Sequence, residues 1–461
     1  MADQVVTRRR VLKAIGLFAV VTPVLAACGG GSTGGGGTAA PSGGSASAPT
    51  AAATSAPAAQ ANPAGGNVSL SISVYPDRPW MKTKAQEWAD KNGVRLRVDD
   101  IAYADMNTKQ LTELATGTMQ DVVFSGNKWI RYTAFKGAFR PIDDYVKTKP
   151  YDKEDIIPSA ITGGTFEGKL YGLPYEWNPG NINVVMYNKD MVQQKGVNEP
   201  TDSWTHDQFT EWAAKMTDSA KGVYGTDLWP GTYYDFGDLV RDYGGDVMSD
   251  DGKKFLFGTD PLNRQIAQWV TELRTKLKVA PPRAMMSQEQ IFPSGKVAST
   301  CTNAVSVKST IKQIGNKFKW GVVLGPTGPE GLRGYDSFAA LWSIYIKSKF
   351  PEQAYDLILY LTSRDTALYA LMKDGQVPAR ISVWRDPEAN KETDIFKRVA
   401  DWISDGKSKG PFPIPDNLRY TELETAFENN AFPMFYGEVD FATGLQKTQE
   451  ACQKVMDQPR G

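Results

Sequence analysis

No charged side chain occurs between Lys13 and Asp77, and from Gly29 to Asn67 the chain is built only from Gly, Ser, Ala, Thr, Pro, Asn and Gln. A stretch of that composition cannot bury enough apolar surface to offset the entropy of ordering it, which predicts a disordered tether. As a coil of 39 residues it spans roughly 35 Å. The glycines at 29, 31 and 34 repeat the letters of a dinucleotide fingerprint, but no strand precedes them and no helix follows, so they carry no nucleotide site. The chain therefore divides into residues 1–27, residues 28–67 and a foldable module from Val68 to Gly461.

The leader has its own pattern. Thr7 to Lys13 (TRRRVLK) precedes an apolar run from Ala14 to Ala27. That run is shorter than the roughly 20 residues of a membrane-spanning helix, and its basic start and small-residue end read as a signal peptide. The segment resembles a twin-arginine export signal, with Val11 where Phe is commoner, and Leu25-Ala26-Ala27-Cys28 is similar to a bacterial lipobox. The resemblance implies cleavage before Cys28, lipidation of its thiol, and a location outside the cytoplasm, anchored to the outer face of the cell membrane.

Composition excludes several classes of chemistry. One histidine and three cysteines leave too few nitrogen and sulfur ligands for a zinc, copper or iron centre, so no metal is expected. Lysine plus arginine equals aspartate plus glutamate at 52 each, and without residues 1–27 the counts become 48 and 51. Nucleic-acid binding draws on a basic excess, and there is none.

The module opens with period-two alternation in VSLSISVY (Val68 to Tyr75), a strand closed by the turn at Pro76 to Pro79. Helical spacing over Trp80 to Lys91, a strand at Val94 to Asp100, a helix over Asp105 to Thr116 and a buried strand at Asp121 to Phe124 follow. That alternation predicts an α/β fold with a mainly parallel sheet, which binds ligands at the carboxyl ends of its strands. About 394 residues exceed what one core usually organises, so two lobes are expected. The Pro179-Gly180 break followed by an alternating strand suits a passage between them.

The motifs GKLYGLPY (Gly168 to Tyr175), VMYNKD (Val185 to Asp190), DSWTHDQFTEWAAKMT (Asp202 to Thr217), YGGDVMSDDGKK (Tyr243 to Lys254), FPSGKVAST (Phe292 to Thr300), WGVVLGPTGP (Trp320 to Pro329), FPEQAYDLILYLTS (Phe350 to Ser363) and GQVPAR (Gly375 to Arg380) occur in that order. Together they resemble the family 1 extracellular solute-binding proteins of ABC importers, the maltose-binding-protein-like group. The resemblance implies a two-lobe periplasmic-binding-protein-like fold of sheets flanked by helices, with a hinge crossed three times. The crossings fall near Glu176 to Asn181, Asp336 to Ala340 and Met372 to Pro378. One lobe would comprise 68–178 with 337–375, the other 179–336 with 376–461. A monomer without a cofactor would hold a sugar in the cleft and deliver it to a membrane permease. Two other readings stay open from the residues alone: a binder of a non-sugar solute such as a glycerophosphate or polyamine, and a secreted hydrolase using two carboxylates.

Gly163 to Lys169 falls one residue short of a phosphate-binding loop, because Leu170 stands where Ser or Thr would hold Mg²⁺. His206 lies in Thr205-His206-Asp207-Gln208, which reads as a capping box opening a helix. Cys301 and Cys452 are expected as two separate thiols. Twelve tryptophans are the most informative compositional feature, since sugar sites pair flat aromatic faces with polar side chains. Trp88, Trp212, Trp269 and Trp402 read as core, while Trp80, Trp129, Trp177, Trp229 and Trp342 are candidates for ligand contact. By position in the family, Asp77, Ser125, Asn127 and Lys128 fall on the first-lobe side of the cleft. Asn181, Tyr233, Tyr234, Asn303 and Ser306 fall on the second. Trp177, among Glu176, Asn178 and Asn181, is the expected platform.

Overall fold

The computed structural model describes residues 68–102, 105–286 and 291–461; the expectations for the leader, Cys28 and the tether lie outside these residues. The strands that organise the module are β1 (Ser69–Val74), β2 (Arg95–Asp100), β3 (Val122–Gly126), β4 (Gly172–Asn178), β5 (Val184–Asn188), β6 (Ser299–Thr302), β7 (Trp320–Leu324) and β8 (Phe338–Ile344). The main helices are α1 (Pro79–Asn92), α2 (Met106–Thr116), α3 (Asn127–Phe135), α4 (His206–Met216), α5 (Tyr233–Arg241), α6 (Pro261–Thr275), α7 (Ala304–Ile314), α8 (Pro351–Leu361), α9 (Arg364–Asp374), α10 (Ile395–Ser404), α11 (Tyr420–Phe435) and α12 (Phe441–Met456).

Local sequence sets several of these boundaries. Pro79 opens α1, where its missing N–H costs nothing, and Gly93 closes it in the left-handed region at φ 65°. At α4 the capping box forms as its letters predict: the Thr205 hydroxyl accepts from Gln208 N–H, and the Gln208 side chain accepts from Thr205 N–H. His206 then turns inward, with Nε2 2.7 Å from Asp242 Oδ2.

Two sheets form. One has the order β2-β1-β3-β8-β4 and the other β6-β5-β7. Within these two, only β1, β2 and β3 run parallel to one another. β8 is antiparallel to both β3 and β4, and the second sheet is antiparallel throughout. The expectation of mainly parallel sheets is thereby corrected to mixed ones. β4 runs out of the first sheet toward Pro179, and β8 brings the chain back beside it, so the returning strand must point the other way.

That return places the three named crossing segments side by side. Phe338 pairs with Asn178, Asp336 N–H donates to Pro179 O at 2.8 Å, and Glu176 bridges to Pro378. The first sheet packs on α1, α8 and α9 through Trp80, Trp342 and Tyr355; the second body of helices encloses Phe236, Phe257, Phe427 and Cys452. A third apolar cluster joins Val123, Trp177 and Ala339 with Val184, Met186 and Leu324, so core continues between the sheets. Gly180, at φ 138°, has no room for a side chain. A Cβ there would stand 2.4 Å from Asp238 Oδ2 and 2.5 Å from Asn183 Oδ1.

Candidate functional site

β3 passes directly into α3, which projects Asn127 and Lys128 from its first turn and Arg131 from the next. Asn127 Nδ2 donates to Ser337 O at 2.7 Å, tying the turn to the residue before β8. Lys128 reaches toward the other body of the module. Its Nζ donates to Tyr234 Oη at 2.5 Å, lies 3.8 Å from the Tyr234 ring centre and 4.8 Å from that of Tyr420, and stands 3.7 Å from Glu424 Oε1. The Tyr234 hydroxyl donates to the same Glu424 oxygen at 2.8 Å. An ammonium held over aromatic faces and beside a carboxylate, with its side chain 5% exposed, is compensated from three directions.

Tyr234 is held in place by the start of α5, where Thr232 caps the helix by accepting from Asp235 N–H at 3.1 Å. The same turn directs Asp235 to Asn181, whose Nδ2 donates to Oδ1 at 2.8 Å. Asn303 Nδ2 donates to Asn181 Oδ1 at 3.3 Å, and Asn303 Oδ1 accepts from Ser306 N–H to cap α7. Asn181, Asn303 and Ser306, expected together from sequence, thus join one hydrogen-bonded chain.

Asp235, Asp238 and Asp336 bring carboxylate oxygens within 4.8 Å of one another, all buried. Arg241 answers part of this charge, with Nη2 2.6 Å from Asp238 and Nη1 3.0 Å from Asp246. Burial nevertheless holds the Asp238 carboxyl well above the usual carboxylate range, outweighing the lowering by Arg241.

A cavity of about 520 Å³ adjoins this contact, within the roughly 300–1,000 Å³ of small-molecule sites. Arg131, one helical turn beyond Lys128, lines it together with Phe166, Phe412, Leu418, Lys409 and Arg460. The Phe412 ring lies 5.5 Å from that of Tyr234, so the cavity shares a wall with the Lys128 contact.

The remaining candidates are dispersed. Asp77 lies in an exposed turn after β1. Trp80 sits inside α1 and Trp342 inside β8, both buried against Tyr175 in the first-sheet core. Trp229 stacks on Tyr436 at 4.5 Å beneath the Arg274 guanidinium. Trp129 packs against Gly126 close to Phe338. Ser125 is fully buried in β3, with no hydrogen-bond partner for its hydroxyl. Tyr233 points into an aromatic cluster with Phe255, Phe412 and Phe427. Trp177 is sealed: its ring is 0% exposed between Tyr335 and Trp384, and its indole N–H faces the Ser337 and Ser159 hydroxyls at 2.7 and 3.1 Å. It does not line the cavity. Cys301 and Cys452 stand as separate free thiols, and burial raises the pKa of each.

Sequence reasoning did not single out Arg131, Phe412 or Glu424. The last two lie in GPFPIPDNLRYTELE (Gly410 to Glu424), where three prolines and two aromatics in a short uncapped stretch were the available signal.

The family of bacterial extracellular solute-binding proteins matches residues 83–397, and the chain belongs to it. A putative binding protein of Brucella abortus is 23% identical over 68% of this chain and 76% of its own length. The erythritol/L-threitol-binding protein of Mycolicibacterium smegmatis is 28% identical over 48% of this chain and 46% of its own. Among solved structures, the Listeria monocytogenes ABC substrate-binding protein in complex with cycloalternan superposes with a TM-score of 0.72 at 21% identity, covering 84% of this chain and 99% of that one. The sugar-binding protein MalE of Xanthomonas citri gives 0.73 at 17% identity, covering 84% and 97%. These likenesses carry the two-lobe α/β fold, and the relatives named for an activity are binding proteins.

Proposed function

We propose that the chain is an exported lipoprotein, anchored through Cys28, that captures a carbohydrate or polyol between its two lobes and delivers it to an ABC permease. The observation that carries this reading is the Lys128–Tyr234–Glu424 contact beside a cavity of about 520 Å³. An aromatic ring, an ammonium and a carboxylate converge there, the combination that a sugar's C–H face and hydroxyls require. Residues 68–178 with 337–375 form one lobe and 179–336 with 376–461 the other. Lys128 reaching Tyr234 ties the two together across the cleft, and a solute in the cleft would take over those same polar atoms. Lys128, Tyr234, Asn127, Asn181 and Asn303 are its first contacts. The names of the relatives support the choice of ligand, since they include binders of erythritol, mannitol and cycloalternan.

A thermal-shift screen of sugars, polyols, glycerophosphates and polyamines tests the reading, because a solute bound only by the native state raises its melting temperature. Stabilisation by glycerophosphates or polyamines alone would overturn the carbohydrate assignment. The anchor is tested separately: Cys28→Ala is expected to leave a folded module that no longer fractionates with membranes, and unchanged retention would overturn it.

A further inference from the structure

Arg131 is the one guanidinium lining the cavity that lacks a carboxylate. Arg241 is paired with Asp238 and Asp246, and Arg460 with Glu167 and Asp416. Arg131 makes no ion pair or hydrogen bond with any described residue, and its Nε is buried without an acceptor. Its desolvation lowers its pKa with no carboxylate to oppose the shift. The buried Nε left without a partner is costly, while the side chain as a whole is half-buried. The acidic groups on the cavity wall do not relieve it: Asp246 and Asp416 are taken by their own arginines, and Asp250 and Asp251 are exposed, where water screens them.

We propose that Arg131 binds a carboxylate and that the solute is an acidic sugar, a uronate or aldonate. This assignment rests on the carbohydrate reading and narrows it. The planar fork of a guanidinium matches a carboxylate with two parallel hydrogen bonds. Phe166 and Phe412 in the cavity wall supply apolar surface for a sugar ring. A single negative charge suits the site better than a doubly charged phosphate ester, because Lys409 is the only other cation on the wall outside an ion pair, its ammonium donating to Gly244 O.

The experiment is a tryptophan-fluorescence titration of the protein with D-galacturonate, D-galactose, D-glucuronate and D-glucose, and with the disaccharides of each pair, repeated for Arg131→Gln and Arg131→Lys. Each acid should bind the native protein at least tenfold tighter than its neutral partner. Arg131→Gln should erase that ratio, and Arg131→Lys should keep part of it. Equal affinity of acid and neutral sugar for the native protein, or a ratio that survives Arg131→Gln, overturns the carboxylate assignment while the carbohydrate reading stands. Absence of binding by every member of both series overturns both. The native ratio decides the matter even if Arg131→Gln fails to fold.

Discussion

Trp177 and Tyr234 are both large aromatics placed by sequence at the cleft, yet the fold uses them in opposite ways. Trp177 ends β4 among Ser159, Ser337, Tyr335 and Trp384, with its one donor committed and no exposed surface. Tyr234 is equally buried, but beside the Phe412 and Tyr420 rings part of its cover is Lys128, a side chain from the first turn of α3. A cover made of continuous core can be removed only by unfolding. A cover that includes an ammonium and a carboxylate can, in that part, be exchanged for solute hydroxyls. Burial alone therefore does not distinguish scaffold from site; the identity of the covering group does.

The largest effect should come from Trp177→Ala. Emptying so large a buried side chain is expected to destabilise the module by about 3–5 kcal/mol, read as a lower urea midpoint. A melting temperature within a few degrees of native, with solute affinity lost, would break the comparison and return Trp177 to the ligand. Lys128→Met is expected to act on the other member of the pair. It should loosen the tie to Tyr234 and Glu424, weaken solute binding about tenfold, near 1.4 kcal/mol, and raise the solute-free radius of gyration measured by small-angle scattering. An unchanged radius with unchanged affinity would show that the contact is not what covers the site.

The smallest effect concerns Asp238, one turn beyond Tyr234 and pressed against hinge residue Gly180. Its folded pKa lies above its unfolded value of about 3.9. A raised carboxyl contributes stability that is present below the unfolded value and is lost as pH rises through the folded one. The stability difference between Asp238→Asn and the native protein should therefore move in the variant's favour between about pH 4 and pH 7, measured by urea denaturation at both ends. Drift the other way would show that the Arg241 ion pair outweighs burial.

Wherever the information was local, residues and structure agree. Period-two alternation fixed β1, Pro79 and Gly93 bracketed α1, and Thr205 with Gln208 capped α4, because propensities and caps act within a few residues. Asn181, Asn303 and Ser306 come together through hydrogen bonds that start from the cap of α7. Strand direction was not local. β8 is antiparallel because the chain re-enters the first sheet beside the strand by which it left, 160 residues after Trp177.

The sequence by itself determined that 68–461 is foldable, that it alternates strands and helices, and that it carries the motifs of its family. Only the tertiary structure decided which polar and aromatic side chains share a cavity. Arg131 has nothing in its own neighbourhood to mark it, and the prolines and aromatics around Phe412 and Glu424 mark a segment without saying what it meets; groups more than a hundred residues away are packed within a few ångströms of them. The same reason sealed Trp177: an indole in a polar stretch reads as exposed until Ser337 and Trp384 arrive from distant segments to enclose it.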